Sequence, residues 1–230
     1  MTAPGTAPRR SLPVLAPITP AALAAFDATQ SAPLALSVLR HELGTVGVAR
    51  AVLHLARRAV LADPLRALAR PRDRDDALTR QQLRPVLLLD DVLRLDLGLD
   101  EHRSHALLGV VVRTSGARFL AQFQPALAVD DWAAATPAER ARFAKALVSR
   151  LFNARVARVE ALPDALAFDV AACRFVDLLG ALDRARLAPL FCEVDRAFVD
   201  RDGSPLALHR AGTLAEGAAR CDFRFTLRAS

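Results

Sequence analysis

Apolar residues recur three and four apart through most of residues 19–153, then give way to alternation after residue 154. "TPAALAAFDATQ" predicts a helix start, with Thr19 as cap and Pro20 in the first turn. "LALSVLRHELGTVGVARAVLHLARRAVLADPLRALAR" has helical spacing, and Gly44 and Gly47 predict a break between two helices. Residues 71–80 read as a charged, proline-led connection or short helix. In residues 83–100, Pro85 is a helix start signal and Gly98 a stop signal. "DEHRSHALLGVVVRTSGARFLAQF" reads as one more helix or a pair. "TPAERARFAKALVSRLFNA" carries a capping box, Thr136 with Glu139, and Pro137 at the first position. Phe143, Leu147 and Leu151 fall on one face of that helix.

Beyond residue 154, "RVARVEALPDALAFDVAAC" predicts two strands around a Leu-Pro-Asp turn. "CRFVDLLGALD" and "RLAPLFCEVDRAFV" are helical again. "SPLALHRAGTL" and "RCDFRFTLR" read as strands, the latter alternating Cys221, Phe223, Phe225 and Leu227 against Asp222, Arg224, Thr226 and Arg228. The fold class is therefore α+β: a helical N-terminal region packed on a small antiparallel sheet with β-β-α-α-β-β order. Residues 1–18 form a proline-rich lead-in, 19–153 the helical region and 154–230 the α+β region, read as one integrated domain.

Composition narrows the chemistry. The 230 residues are 53% hydrophobic, with 11 Phe, one Trp and no Tyr, so the core is expected to be mostly Ala, Leu and Val. The net charge is +6, and Lys145 is the only lysine. The arginines are spread along the chain among Asp and Glu, as in "RPRDRDDALTR", with no basic run interleaved with aromatics. That pattern describes solvated helix faces, not a nucleic-acid surface. No signal-peptide core and no run of about 18 uncharged apolar residues is visible, so a cytoplasmic chain with no membrane partner is expected. The Leu- and Ala-rich N-terminal helices leave room for a homo-oligomer.

The three cysteines, Cys173, Cys192 and Cys221, all fall in the last 58 residues. Cys173 lies where a strand meets a helix. Cys192 and Asp195, three apart on a helix, share a face. Cys221 and Asp222 open the last strand on opposite sides. Free cysteine also serves as a small buried hydrophobe, and separations of 19 and 29 residues match no zinc signature. Catalytic thiols, thiolate ligands of a divalent metal such as zinc, and a structural cluster all stand as readings. His102 and His105 sit on a helix face without a third ligand in view, His209 lies on a strand, and Trp132 reads as a packing anchor.

One resemblance sharpens this. "DVAACRFVDLLGALDRARLAPLFCEVDRAFV" followed by "ALHRAGTLAEGAARCDFRF" resembles the L-2-amino-thiazoline-4-carboxylic acid hydrolase family over roughly residues 165–227. The match is carried by Cys173-Arg174-Phe175, by Cys192 and Asp195, and by Arg210, Thr213, Leu214, Gly217, Cys221, Asp222, Phe223 and Arg224. Ala211 and Gly212 depart from it, standing where many relatives have a bulkier or hydroxylated pair.

The resemblance implies a hydrolase that opens a cyclic C–N bond, amidine or thiazoline-like, in a small anionic substrate. Such chemistry needs a nucleophile, a base, an acid and a clamp for a carboxylate. Cys192 is the first choice as nucleophile, with Asp195 orienting water or taking a proton. Cys173 and Cys221 are further catalytic groups or, with Cys192, metal ligands. Arg174, Arg210, Thr213 and Asp222 are expected to bind substrate, and Arg174 or Arg210 to favour the Cys192 thiolate. The β-β-α-α-β-β order with cysteines also resembles 4-vinyl reductase-like domains, which implies a non-catalytic ligand-binding or sensor module as the alternative.

Overall fold

A computed structural model describes residues 12–124, 129–201 and 203–228. Most of the expected proline-rich lead-in, residues 1–11, lies outside them. Residues 12–19 have no regular secondary structure, with Ile18 buried. Eight α-helices and four strands follow among the described residues: α1 Pro20–Phe26, α2 Ala32–Leu61, α3 Arg74–Asp91, α4 Glu101–Phe123, α5 Val129–Ala134, α6 Pro137–Val148, β1 Ala154–Ala161, β2 Ala165–Cys173, α7 Arg174–Ala181, α8 Ala188–Val199, β3 Leu206–His209 and β4 Cys221–Leu227. The class is α+β, with the helices first and the β-β-α-α-β-β unit last.

Local chemistry sets the boundaries. Thr19 caps α1 by accepting from the Ala22 amide at 3.1 Å, ahead of Pro20. Thr136 and Glu139 form the reciprocal capping box of α6. The break expected near Gly44 and Gly47 falls at Gly44 (φ 70°, ψ 178°), which kinks α2. Pro85 does not start a helix. Asp73 caps α3 twelve residues earlier by accepting from Asp76, and the helix runs through Pro85. It then continues as a π-helical turn, Val92–Asp96, and stops at Gly98 with φ 70° as expected. Residues 101–123 form one helix, capped by Asp100.

The sheet is wholly antiparallel in the order β1-β2-β4-β3. The segment 204–214 yields a strand only over Leu206–His209. Its remainder is a loop with a 3₁₀ turn, Leu214–Glu216, closed by Gly217 at φ 87°. Phe168 stacks on Phe223 with ring centroids 4.8 Å apart, and these join Val148, Val170 and Cys221 in a core beneath the sheet. A second core fills the space between α3, α4, α7 and α8, around Leu83, Leu108, Leu179, Leu187 and Leu190. Trp132 is the anchor its sequence setting suggested: it is buried, packs edge-on to Phe143, and donates to the Leu162 carbonyl at 3.0 Å.

Helix α2 is different. Only Leu39 and Ala51 are buried on it, while Val46, Leu53, Val60 and Leu61 are largely exposed. The stretch Pro20–Leu61 is long and apolar enough to cross a bilayer by length and composition alone. In the fold it packs along α3 and α4.

Charge ties the helical region to the α+β unit. Asp90 on α3 is fully buried and accepts from Arg184 at 2.5 Å and from Arg186 at 2.6 and 2.8 Å, both in the link between α7 and α8. Arg184 also reaches Asp91 at 2.7 Å. Removing one member of such a cluster strands the others in a partly dry site. Asp90→Ala is expected to cost about 3 kcal/mol and Asp90→Asn less, read as the shift in urea midpoint at unchanged slope.

Candidate active site

The β2–α7 junction and α8 bring the three thiols to one cavity of about 820 Å³. Cys173, Cys192, Asp195 and Cys221 all line it, together with Phe168, Val170 and Phe223 of the sheet. The opposite wall comes from α2, α3 and α4. Cys173 is the last residue of β2 and precedes the first turn of α7. Cys192 and Asp195 project from α8, one turn apart. Cys221 opens β4, directly opposite Val170.

Arg210 holds this end together. Its side chain is only 8% exposed. It donates to the Cys192 carbonyl at 2.9 Å and to Asp195 Oδ2 at 3.4 Å, and its guanidinium lies 5.2 Å from the centre of the Phe223 ring. Loop 210–220 is stiffened from two sides. Asp222 accepts from the Ala211 amide at 3.0 Å and the Gly212 amide at 3.2 Å. Thr213 caps the 3₁₀ turn, accepting from the Glu216 amide and donating to the Glu216 carboxylate at 2.7 Å. The Leu214 amide donates to Cys221 Sγ at 3.2 Å.

The four residues expected to bind substrate therefore have other contacts. Arg174 is paired with Asp73 at 3.0 Å and is not among the cavity-lining residues. Thr213 and Asp222 build the loop. Arg210 is committed to α8, and of the two arginines it alone lies beside Cys192. The arginines that do line the cavity are Arg84 and Arg150. Neither belongs to a motif, and their clue in the sequence is slight: each is a lone charge beside apolar residues, Leu83 and Leu151. Asp27 and Ser31 line it too, one π-helical turn apart, where Asp27–Ser31 interrupts the α-helical winding.

Burial dominates the titrations. The Cys192 thiol is pushed up to about 12 by loss of solvent, against the pull of Arg210 and Thr213. The Cys173 thiol is raised by burial, with the Phe175 and Val176 amides drawing it back. Cys221 is raised for the same reason. Each of the three lies near enough to another for the second thiolate's charge to count. All three are thus protonated thiols at neutral pH. Asp195 is raised to about 6 by desolvation, although Arg210 beside it favours the charged form. Asp222 is held below the usual carboxylate range by its backbone donors, despite its burial.

Among the described residues, no group of three or more His, Cys, Asp or Glu is arranged to hold a metal ion. The thiol trio thus shares a cavity without forming a ligand set, and His102 and His105 form none either. His209 is exposed at the end of β3.

A family model described as L-2-amino-thiazoline-4-carboxylic acid hydrolase matches residues 100–225, more than half of the chain. No curated protein and no solved structure matches it.

Asp27 supplies a check on the cavity's dryness. Desolvation alone raises it to about 6, so the folded state favours the protonated acid. That contribution is complete below about pH 4 and is lost as pH rises through about 6. Asp27→Asn is expected to stabilise the fold at pH 8 by roughly 1–3 kcal/mol and to change nothing at pH 4, measured as thermal midpoints at the two pH values.

Proposed function

We propose that the chain, which belongs to the L-2-amino-thiazoline-4-carboxylic acid hydrolase family, opens a cyclic C–N bond of an amidine or thiazoline-like ring by acid–base hydrolysis. The observation that carries this reading is the Cys192–Asp195 pair. Both face one cavity from a single helix turn, and desolvation raises both, to about 12 and about 6, so that at neutral pH the thiol holds its proton and the carboxyl is mostly charged. Paired groups separated in this way divide into a base and an acid.

Their spacing in the sequence suggested Cys192 as nucleophile. Its burial favours another use, because a thiol near 12 holds its proton at neutral pH and Arg210 does not lower it enough to change that. Asp195, charged above about pH 6, takes a proton from a water molecule. The water oxygen bonds to the amidine-like carbon, and the ring C–N bond then breaks. The departing nitrogen takes the proton of the Cys192 thiol, and Asp195 returns its own proton to that sulfur. One water is consumed and both side chains are restored. Arg210 keeps Asp195 aimed, while Cys173 and Cys221 extend the cavity wall beside the pair.

A second reading draws on the size and apolar lining of the cavity: a ligand-binding module without turnover, of the 4-vinyl reductase-like kind.

The two diverge under assay. With 2-amino-thiazoline-4-carboxylate and related cyclic amidines, kcat/KM should climb with pH and level off above about 6. Asp195→Asn should lower kcat at least about 100-fold and remove that rise. Cys192→Ser should lower kcat by about the same factor with little change in KM, whereas Cys173→Ser and Cys221→Ser should cost less than about tenfold. Full turnover by Asp195→Asn, or none by the wild type across the panel, would sink the acid–base reading.

A further inference from the structure

The cavity is far larger than one five-membered ring needs. At about 820 Å³ it falls in the upper part of the ~300–1,000 Å³ range of clefts that enclose drug-sized ligands. Most of its lining is apolar and lies away from the thiols: Phe26, Leu39, Leu55, Leu88, Val112 and Phe119. The wall formed by α2 includes Leu36 and Val52, which are also 41% and 43% exposed. The rim of the cavity is therefore apolar on both sides of the Gly44 kink.

Arg150 marks the other end. It lines the cavity, and its Nη2 donates to the Phe123 carbonyl at 2.8 Å. Its Nε is buried without a partner, and no carboxylate pairs with it among the described residues. Burial lowers its pKa. A guanidinium that lines an apolar cavity with no carboxylate beside it among the described residues is poised for an oxyanion. Ser115 on α4 adds a second buried, unpartnered polar atom to the same lining.

The two ends are well separated. Val194, next to Asp195, packs against Gly116 of α4 so closely that a Cβ there would lie 2.5 Å from it. Phe123, which holds Arg150, is seven residues further along the same helix, a rise of about 10 Å.

We infer that the substrate is an elongated amphipathic oxyanion, with its anionic group on Arg150, an apolar body along α2 and α4, and its reacting ring at Cys192 and Asp195. This rests on the reading of that pair as the reacting end, and it deepens that reading by naming the substrate class. Arg84 lines the cavity too, but its bond to the Ala59 carbonyl is solvent-exposed and, among the described residues, Arg150 and not Arg84 carries a buried guanidinium nitrogen without a partner.

Butanoate, octanoate and dodecanoate serve as probes, titrated calorimetrically into the full chain at pH 7.5. From butanoate to octanoate, affinity should rise about threefold per methylene. Arg150→Gln should weaken octanoate at least about tenfold, with Arg150→Lys recovering part of the loss. Ala35→Phe and Ser115→Leu, which fill the cavity from α2 and α4, should weaken dodecanoate more than butanoate. Butanoate binding as tightly as octanoate would overturn the inference. So would wild-type binding of octanoate by Arg150→Gln, or of dodecanoate by both filled variants. If Arg150→Gln loses its fold with the Phe123 bond, the filled variants decide.

No turnover enters these measurements, so Cys192→Ser should give the wild-type series. A normal series alongside an Asp195→Asn variant of full activity would sink the acid–base reading alone. A flat series alongside an inactive Asp195→Asn would sink only the amphipathic substrate.

Discussion

A guanidinium held between a helix and a sheet fixes the geometry on which the site depends. Arg210 leaves the end of β3, passes over the Phe223 ring and reaches both a carbonyl and a carboxylate of α8. Taking this charge out of water is costly, and the cost is offset only if its donors are met. The interaction therefore permits few rotations of α8 about its own axis. In the one adopted, Cys192 and Asp195 face the cavity. Loop 210–220 has little regular structure, and its order comes from Asp222, Thr213 and Cys221 accepting its amides. The cluster of polar residues around the thiols is thus mostly scaffold. It sets the positions of two groups that line the cavity, Cys192 and Asp195.

Dryness governs the chemistry that follows. The same apolar walls that lift Cys192 to about 12 lift Asp195 and Asp27 to about 6. Desolvation disfavours charge on every acid in the cavity. Carboxyls are thereby brought close to neutrality. Thiols are carried away from it and hold their protons more firmly, which a count of sulfur atoms along the chain does not reveal.

Some of this was legible in the sequence because it is local. Alternation over residues 155–173 and 221–227 marked the strands, and Thr19, Thr136 and Gly98 marked helix ends through short-range hydrogen bonds and a left-handed turn. The shared face of Cys192 and Asp195 followed from helical spacing. Pro85 misled, because a proline that starts one helix can sit within another when the cap lies upstream, here at Asp73. Residues 210–214 misled as well: read as the continuation of a strand, they lie in a loop whose 3₁₀ turn is capped by Thr213. Arg150 was invisible for a deeper reason. Nothing near it in the chain says that no carboxylate among the described residues pairs with it, since that depends on residues brought beside it only by folding. Arg174 is the converse, a motif residue whose fork is taken up by Asp73, 101 positions earlier.

The thin attachment of α2 has a dynamic consequence. A segment with two buried side chains and a glycine hinge sits at the low end of a protein's ladder of opening free energies. Its amides should exchange with solvent through partial openings that leave the sheet and the α4–α8 contact intact. Because this helix lines the same cavity as the thiols, a molecule bound there would slow hydrogen exchange along residues 32–61.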